Sequence, residues 1–288
     1  MRSQSFVFAA NGRQKLDLLI EAYFSPVTKT INELSTSWSN DVLKGNIWKN
    51  PPAKPNAAYV PTTLEHLANI LTHGVCVLPA IYAMWPLLER ASNTAQFWAA
   101  FIYGAALIML FSVSALFHTC CLCSKSRIRD WFHRGDRAMI YLFIASSYFP
   151  WLSLVPCKSP DAHTPPSSML PTVLSWFGIN SVLAADLRWT VWFLAAMGIL
   201  YQQIFHEKYK WLETFFYVLV SLVPSIPFLH QEEMQGMWEL KIGGMFYLIG
   251  IIFFKSDGRI PFAHAIWHLH VAVGASIHYY AVSSYLMG

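Results

Sequence analysis

Three short stretches, far apart in the chain, place groups that can bind a metal or move a proton inside apolar sequence. They are Ser114-Ala-Leu-Phe-His118, Asp136 within His133-Arg-Gly-Asp136-Arg137, and His264-Ala-Ile-Trp-His268. Residues four apart lie on one helix face, so the first and third stretches each present two polar groups to one side. An acid from a third element can join them around a single ion. Ionisable groups are costly in apolar helices, which makes each a functional-site hypothesis. Three imidazoles suit zinc, because a tetrahedral ion with three protein ligands keeps its fourth position for water, with a pKa low enough for attack on a carbonyl at neutral pH. Asp136 would take a proton from that water or orient it. Ser114, one turn before His118, could hydrogen-bond the water or a developing oxyanion. Iron and copper also accept imidazole, but hydrolysis needs no redox chemistry, and neither a thiolate nor a second carboxylate is evident.

The elements that must position these groups are helices in a bilayer. The chain is 55% hydrophobic and 12% charged, against roughly 25% charged in ordinary soluble domains. Seven apolar runs can each span a membrane, at about 66–88, 96–122, 137–155, 187–206, 211–229, 237–254 and 260–285. The fifth contains Glu213, and the sixth carries Glu239 and Lys241 near its start. The expected fold is therefore an all-α integral membrane protein, a seven-transmembrane helix bundle over residues 61–288 preceded by a tail over 1–60. The apolar stretch Ser5–Ala10 is too short for a signal peptide, so no cleaved leader is expected.

Sixteen of the twenty Lys and Arg residues fall in the tail and alternate loops, and four fall on the opposite side. Basic loops face the cytosol, which puts the N-terminus in the cytosol and the C-terminus in the lumen or outside the cell. The net charge of +4 follows from this asymmetry, and nucleic acid is not needed to explain it. With that orientation, His118 closes the second span at the cytosolic end, Asp136 opens the third, and His264 and His268 open the seventh behind Pro261, a residue suited to a first helical turn. At about 1.5 Å per residue, all of them lie in the cytosolic third of the membrane. Glu65, Asn69, Thr72 and His73 share one face of the first span at the same depth. They could support the site by hydrogen bonds or simply pack helices together.

The remaining candidates have plainer readings. His270 points to another face, and His278 lies nearly three turns beyond His268. His133 could reach the site from its basic loop, and His66 reads as interfacial. Cys120, Cys121 and Cys123 could be lipidated or be ordinary reduced thiols, and Cys157 falls on the opposite side. Leu16, Leu19, Ile20, Tyr23, Val27, Ile31 and Leu34 follow a helical period broken at Pro26, which fits an amphipathic helix on the cytosolic leaflet, a helix under the bundle or an unordered tail. Residues 36–60, rich in Ser, Asn and Pro, read as a linker.

Glu65-x-x-x-Asn69-x-x-Thr72-His73, Ser114-x-x-x-His118, Asp136 and His264-x-x-x-His268 resemble the shared motifs of the progestin and adipoQ receptor family, which is related to bacterial hemolysin III proteins. The segments 140–148, 206–210 and 253–268 resemble its monocyte to macrophage differentiation factor subgroup. The resemblance covers about residue 50 to the end. It implies seven helices and zinc on His118, His264 and His268, with Asp136 and Ser114 beside the water. It also implies relationship to alkaline ceramidases, with ceramide as a substrate, and an association of the subgroup with Golgi membranes and Ras-type signalling.

Three functions follow as expectations. One is a zinc-dependent hydrolase of a lipid amide or ester. The second is a signalling receptor or membrane scaffold, with protein partners at the cytosolic face and zinc in a structural role. The third, a transporter or channel, needs polar residues continuing across the membrane, and spans four to six offer too few.

Overall fold

The computed structural model describes residues 25–55, 57–123, 127–155, 183–228 and 235–288. Helix α1 (residues 25–43) precedes α2 (Thr63–Glu89), α3 (Thr94–Cys123), α4 (Arg127–Leu154), α5 (Leu183–Ile204) and α6 (Lys210–Leu222). A 3-10 turn (Val223–Phe228) follows, then α7 (Met237–Phe254) and α8 (Ala263–Tyr285). Among the described residues there is no strand. Helices α2 to α8 each overlap one of the seven apolar runs, although α6 ends at Leu222, short of its run at 211–229. Three of them, Thr63–Glu89, Thr94–Leu122 and Met237–Phe254, are long and apolar enough to cross a membrane.

Helix order in space is set by buried stripes. On α3, Ala99, Tyr103, Ala106, Leu110, Ser114 and His118 are all buried. They recur every three or four residues, so the polar pair at the end continues an apolar seam rather than interrupting a surface. That seam packs on α2 and α4; α4 continues to α5 and α6, while α8 packs on α7 and α2. The α7–α8 contact is close because glycines face each other. A Cβ on Gly274 would meet the Gly243 carbonyl oxygen at 3.0 Å, a small-residue seam typical of helices packed in lipid.

The buried charge inside the fifth run is paired. Glu213 on α6, 4% exposed, accepts from Arg137 Nη1 at 3.1 Å and from the Tyr217 hydroxyl at 2.9 Å. The second arm of Arg137 reaches Glu207 at 2.8 Å. A buried carboxylate needs such partners to stay in an apolar setting.

Two expectations need correction. The first part of the 36–60 linker is helical, since α1 runs through residue 43. Asp41 ties its end to α2, accepting from the Thr63 amide at 2.9 Å and hydroxyl at 2.8 Å. The Leu16–Tyr23 part of the amphipathic pattern lies outside the described residues. Pro261 is not in the first turn of α8. It precedes the cap residue Phe262, whose φ of 57° is left-handed, so the chain turns sharply there before entering the helix.

Candidate metal centre

Thr62 and Glu65 begin the site by fixing α2. They form a capping box, with the Thr62 side chain accepting from the Glu65 amide at 3.2 Å and Glu65 accepting from the Thr62 amide at 2.9 Å. Glu65 also accepts from the Tyr59 hydroxyl at 2.8 Å. Burial, and then the Glu65 bond and charge, push the Tyr59 phenol well above its ordinary pKa. Glu65 thus sets where α2 starts. Asn69, Thr72 and His73 follow on its inner face.

Opposite that face, His118 from α3 and His264 and His268 from α8 converge. Their ligand nitrogens lie within 4.8 Å of one another. His118 and His268 are 2% and 1% exposed. The rings are oriented from behind through Nδ1. Thr72 Oγ1 gives its own proton to the Ala68 or Asn69 carbonyl, so it accepts from His268 Nδ1 at 3.1 Å. His118 Nδ1 lies 3.2 Å from His66 Nδ1 and 3.5 Å from the Asn69 amide. His264 Nδ1 faces Asp257 Oδ2 at 3.7 Å. In His118 and His268 the Nε2 atom is thereby left on the far side of the ring from these partners.

The His118 Nε2 atom has no hydrogen-bond partner although it is buried. An orphaned polar atom at such depth calls for an explanation. Three convergent imidazoles, two of them held through Nδ1, fit a transition metal, since metal-bound histidines are held in this way by outer partners. Ser114 Oγ lies 3.5 Å from His268 Nε2. Asp136 lines the same cavity, with the Ser114 hydroxyl beside it. His73 stacks on His268 with ring centroids 3.7 Å apart.

The cavity has a volume of about 370 Å³. His73, Ser114, Asp136, His264 and His268 form its polar end, and the rest is mostly apolar. Leu222 of α6 and Met245 and Leu248 of α7 line it and are 46%, 50% and 43% exposed. These exposed lining residues lie on α6 and α7.

Other histidines fall where their spacing directs them, with one exception. His270 Nδ1 donates to the Ile266 carbonyl at 2.8 Å, and His278 Nε2 donates to Leu240 O at 3.2 Å. His133 turns to His206 and Glu207 instead of the centre. The exception is His66, which is buried at 8% exposure against His118 and is not interfacial. Its signal was present in the sequence, because His66, Asn69 and His73 also share a helix face. Cys120 and Cys121 are half-buried in the last turn of α3, and Cys157 lies outside the described residues.

These features define a helical membrane protein with a buried three-histidine cluster beside an aspartate. The chain belongs to the Haemolysin-III related family, whose model matches residues 62–279. It is 42% identical over 243 residues to the monocyte to macrophage differentiation factor of Homo sapiens, covering 82% of this chain and 91% of that one. It is 30% identical over 229 residues to hemolysin-3 of Bacillus cereus, covering 77% and 92%. The family match begins at the cap of α2, so α1 and the strap after it lie outside it.

Proposed function

We propose that this protein is a zinc-dependent hydrolase of a lipid amide or ester, ceramide-like in class, with His118, His264 and His268 as zinc ligands. The carrying observation is the convergence of three imidazoles, the unpartnered His118 Nε2 among them, beside an apolar cavity whose polar end is lined by His264 and His268 and whose exposed lining residues lie on α6 and α7. A lipid can enter such a cavity from the bilayer without crossing water, and the reacting carbonyl then reaches the polar end.

A zinc ion held there would supply Lewis acidity to a carbonyl oxygen and lower the pKa of a water. Asp136 accepts the proton that the attacking water loses and delivers it to the leaving amine or alcohol. The Ser114 hydroxyl donates to the oxygen on which charge develops. Thr72, Asn69 and His66 hold the histidine rings through Nδ1, and the apolar walls exclude bulk water. All seven helices α2 to α8 would cross an endomembrane, such as the Golgi, with α1 at the cytosolic face, as the charge asymmetry favours.

The second reading is a signalling receptor or membrane scaffold with structural zinc and cytosolic protein partners. The family relative named as a differentiation factor favours it. The full chain in lipid nanodiscs separates the two readings. The hydrolase reading expects release of fatty acid from a ceramide-like or ester lipid, and its loss in Asp136→Asn with zinc retained. Bound zinc without hydrolysis of any such lipid supports the scaffold.

A further inference from the structure

Helix α1 carries an apolar stripe that the described residues leave exposed, and its place beside the bundle points to what covers it. We propose that α1 lies in the membrane–water interface, with Val27, Ile31, Trp38 and Val42 sunk among the acyl chains of the leaflet where α2 begins. The proposal rests on the reading that α2 crosses a bilayer and not on the hydrolase reading.

The four residues are 50%, 58%, 42% and 45% exposed. Their spacing keeps them on one stripe of a helix with about 3.6 residues per turn. About a quarter turn away, Thr30, Glu33, Ser37 and Asp41 form the less exposed side. That side faces the bundle. The Ser37 and Thr63 hydroxyls are 2.7 Å apart, and Asp41 accepts from the Thr63 amide and hydroxyl. Lys29, Asn32, Thr36, Ser39 and Asn40 are exposed on the remaining side, with Leu43 at the helix end. A helix lying on a leaflet beside a bundle needs this division, with one side to protein, one to lipid and one to water. A helix packed under the bundle would turn the stripe inward, where Ser37 and Asp41 stand.

The tie to Thr63 also sets the depth. Thr63 is the first residue of α2, and Leu67, Leu71, Val75 and Leu78 then run along one outer face, 39%, 63%, 68% and 76% exposed. Exposed apolar surface of this extent marks a membrane or protein contact. It starts one turn from the tie, so the α1 stripe continues it.

Tryptophans mark the same border. The contacts His66–His118, Phe117–His133 and Arg137–Glu213 bring the starts of α2, α4 and α6 to one end of the bundle. There Trp131 and Trp211 are 78% and 69% exposed, in keeping with the enrichment of tryptophan at membrane–water interfaces. Trp38 of the α1 stripe joins them.

The chain after α1 returns to the metal centre. Lys49 Nζ donates to the Gly258 carbonyl at 3.1 Å, and Trp48 meets the Phe262 ring edge-on with centroids 6.1 Å apart. Both contacts fall on the turn that leads into α8 and His264. An α1 anchored in the leaflet holds this strap over that turn.

The test is photo-crosslinking of the full chain in phosphatidylcholine nanodiscs loaded with one chain each. Ile31, Val42, Thr36 and, on α2, Leu71 are replaced one at a time by p-benzoylphenylalanine, and adducts are identified by peptide mass spectrometry. Lipid adducts at 31, 42 and 71 are expected, at least about tenfold above those at 36, which faces water. Adducts at 71 without adducts at 31 and 42 would overturn the proposal while α2 stays in the bilayer. Crosslinks from 31 and 42 to another segment of the chain would overturn it as well, since protein then covers the stripe. Equal adducts at 31, 36 and 42 would refute the orientation of α1. Absence of lipid adducts at 71 would refute the membrane-crossing reading and this proposal with it.

Discussion

The Nδ1 atoms of His66 and His118 lie 3.2 Å apart in a buried contact, so one ring must donate and the other accept. If His118 donates, its Nε2 carries the lone pair that faces His264 and His268. His66 then sets the tautomer of a metal ligand without touching the metal. Removing such an outer partner costs about 10–100-fold in metal affinity. His66→Phe should weaken zinc binding by that factor, measured by competition with a chelating dye, while the protein stays monodisperse. Unchanged affinity would show that His66 only packs.

Thr72 acts in the same way on His268, and here the prediction is a pair of variants. Thr72→Ser keeps the acceptor and should leave zinc affinity near wild type. Thr72→Val is similar in shape but cannot accept from His268 Nδ1 at 3.1 Å, and should weaken zinc by about 10-fold or more. Equal affinities would make the hydroxyl irrelevant.

The Arg137 fork bridges Glu213 and Glu207 across α4, α6 and the turn before α6. Arg137→Met leaves buried Glu213 without its cation and Glu207 with Lys210 alone, and a broken buried pair costs about 3–5 kcal/mol. A large drop in melting temperature is expected. Replacing Glu207 and Glu213 by Gln in the same chain should recover part of it. No recovery would show that the packing of the long side chain, rather than its charge, sustains this region.

Neighbouring glycines on α7 give a sharp contrast. A Cβ on Gly243 would overlap the His278 ring, whereas one on Gly244 meets nothing within 4 Å. Gly243→Ala should destabilise by about 1–3 kcal/mol, the usual cost of overpacking. Gly244→Ala should be neutral or slightly stabilising, given the better helix propensity of alanine. Thermal melting of both variants checks this, and equal melts would contradict the close α7–α8 approach.

The helices were legible because run length and low charge dominate in apolar sequence. Grouping His118, His264 and His268 was legible as well, since charge asymmetry put them at one depth. Other parts depend on contacts that no local spacing encodes. His133 meets His206 only because the turn after α5 folds back on α4. Glu65 lies on the expected face, yet its two bonds go to the α2 cap and to Tyr59. The Ser- and Asn-rich residues before 44 looked like a linker, but a tie from Asp41 to Thr63 keeps them helical. The left-handed Phe262 displaces Pro261 from α8, which residue preference alone could not reveal.

The central claim is that His118, His264 and His268 together hold one zinc ion. Its most direct measurement is the zinc content of the purified full chain in a His133→Gln/His206→Gln background, which removes the other neighbouring histidine pair as a source of bound metal. About one zinc per chain is expected there, falling to none when His268→Ala is added, with the helical fold kept by circular dichroism. A chain that holds no zinc in that background, or holds it undiminished after His268→Ala, would contradict the account.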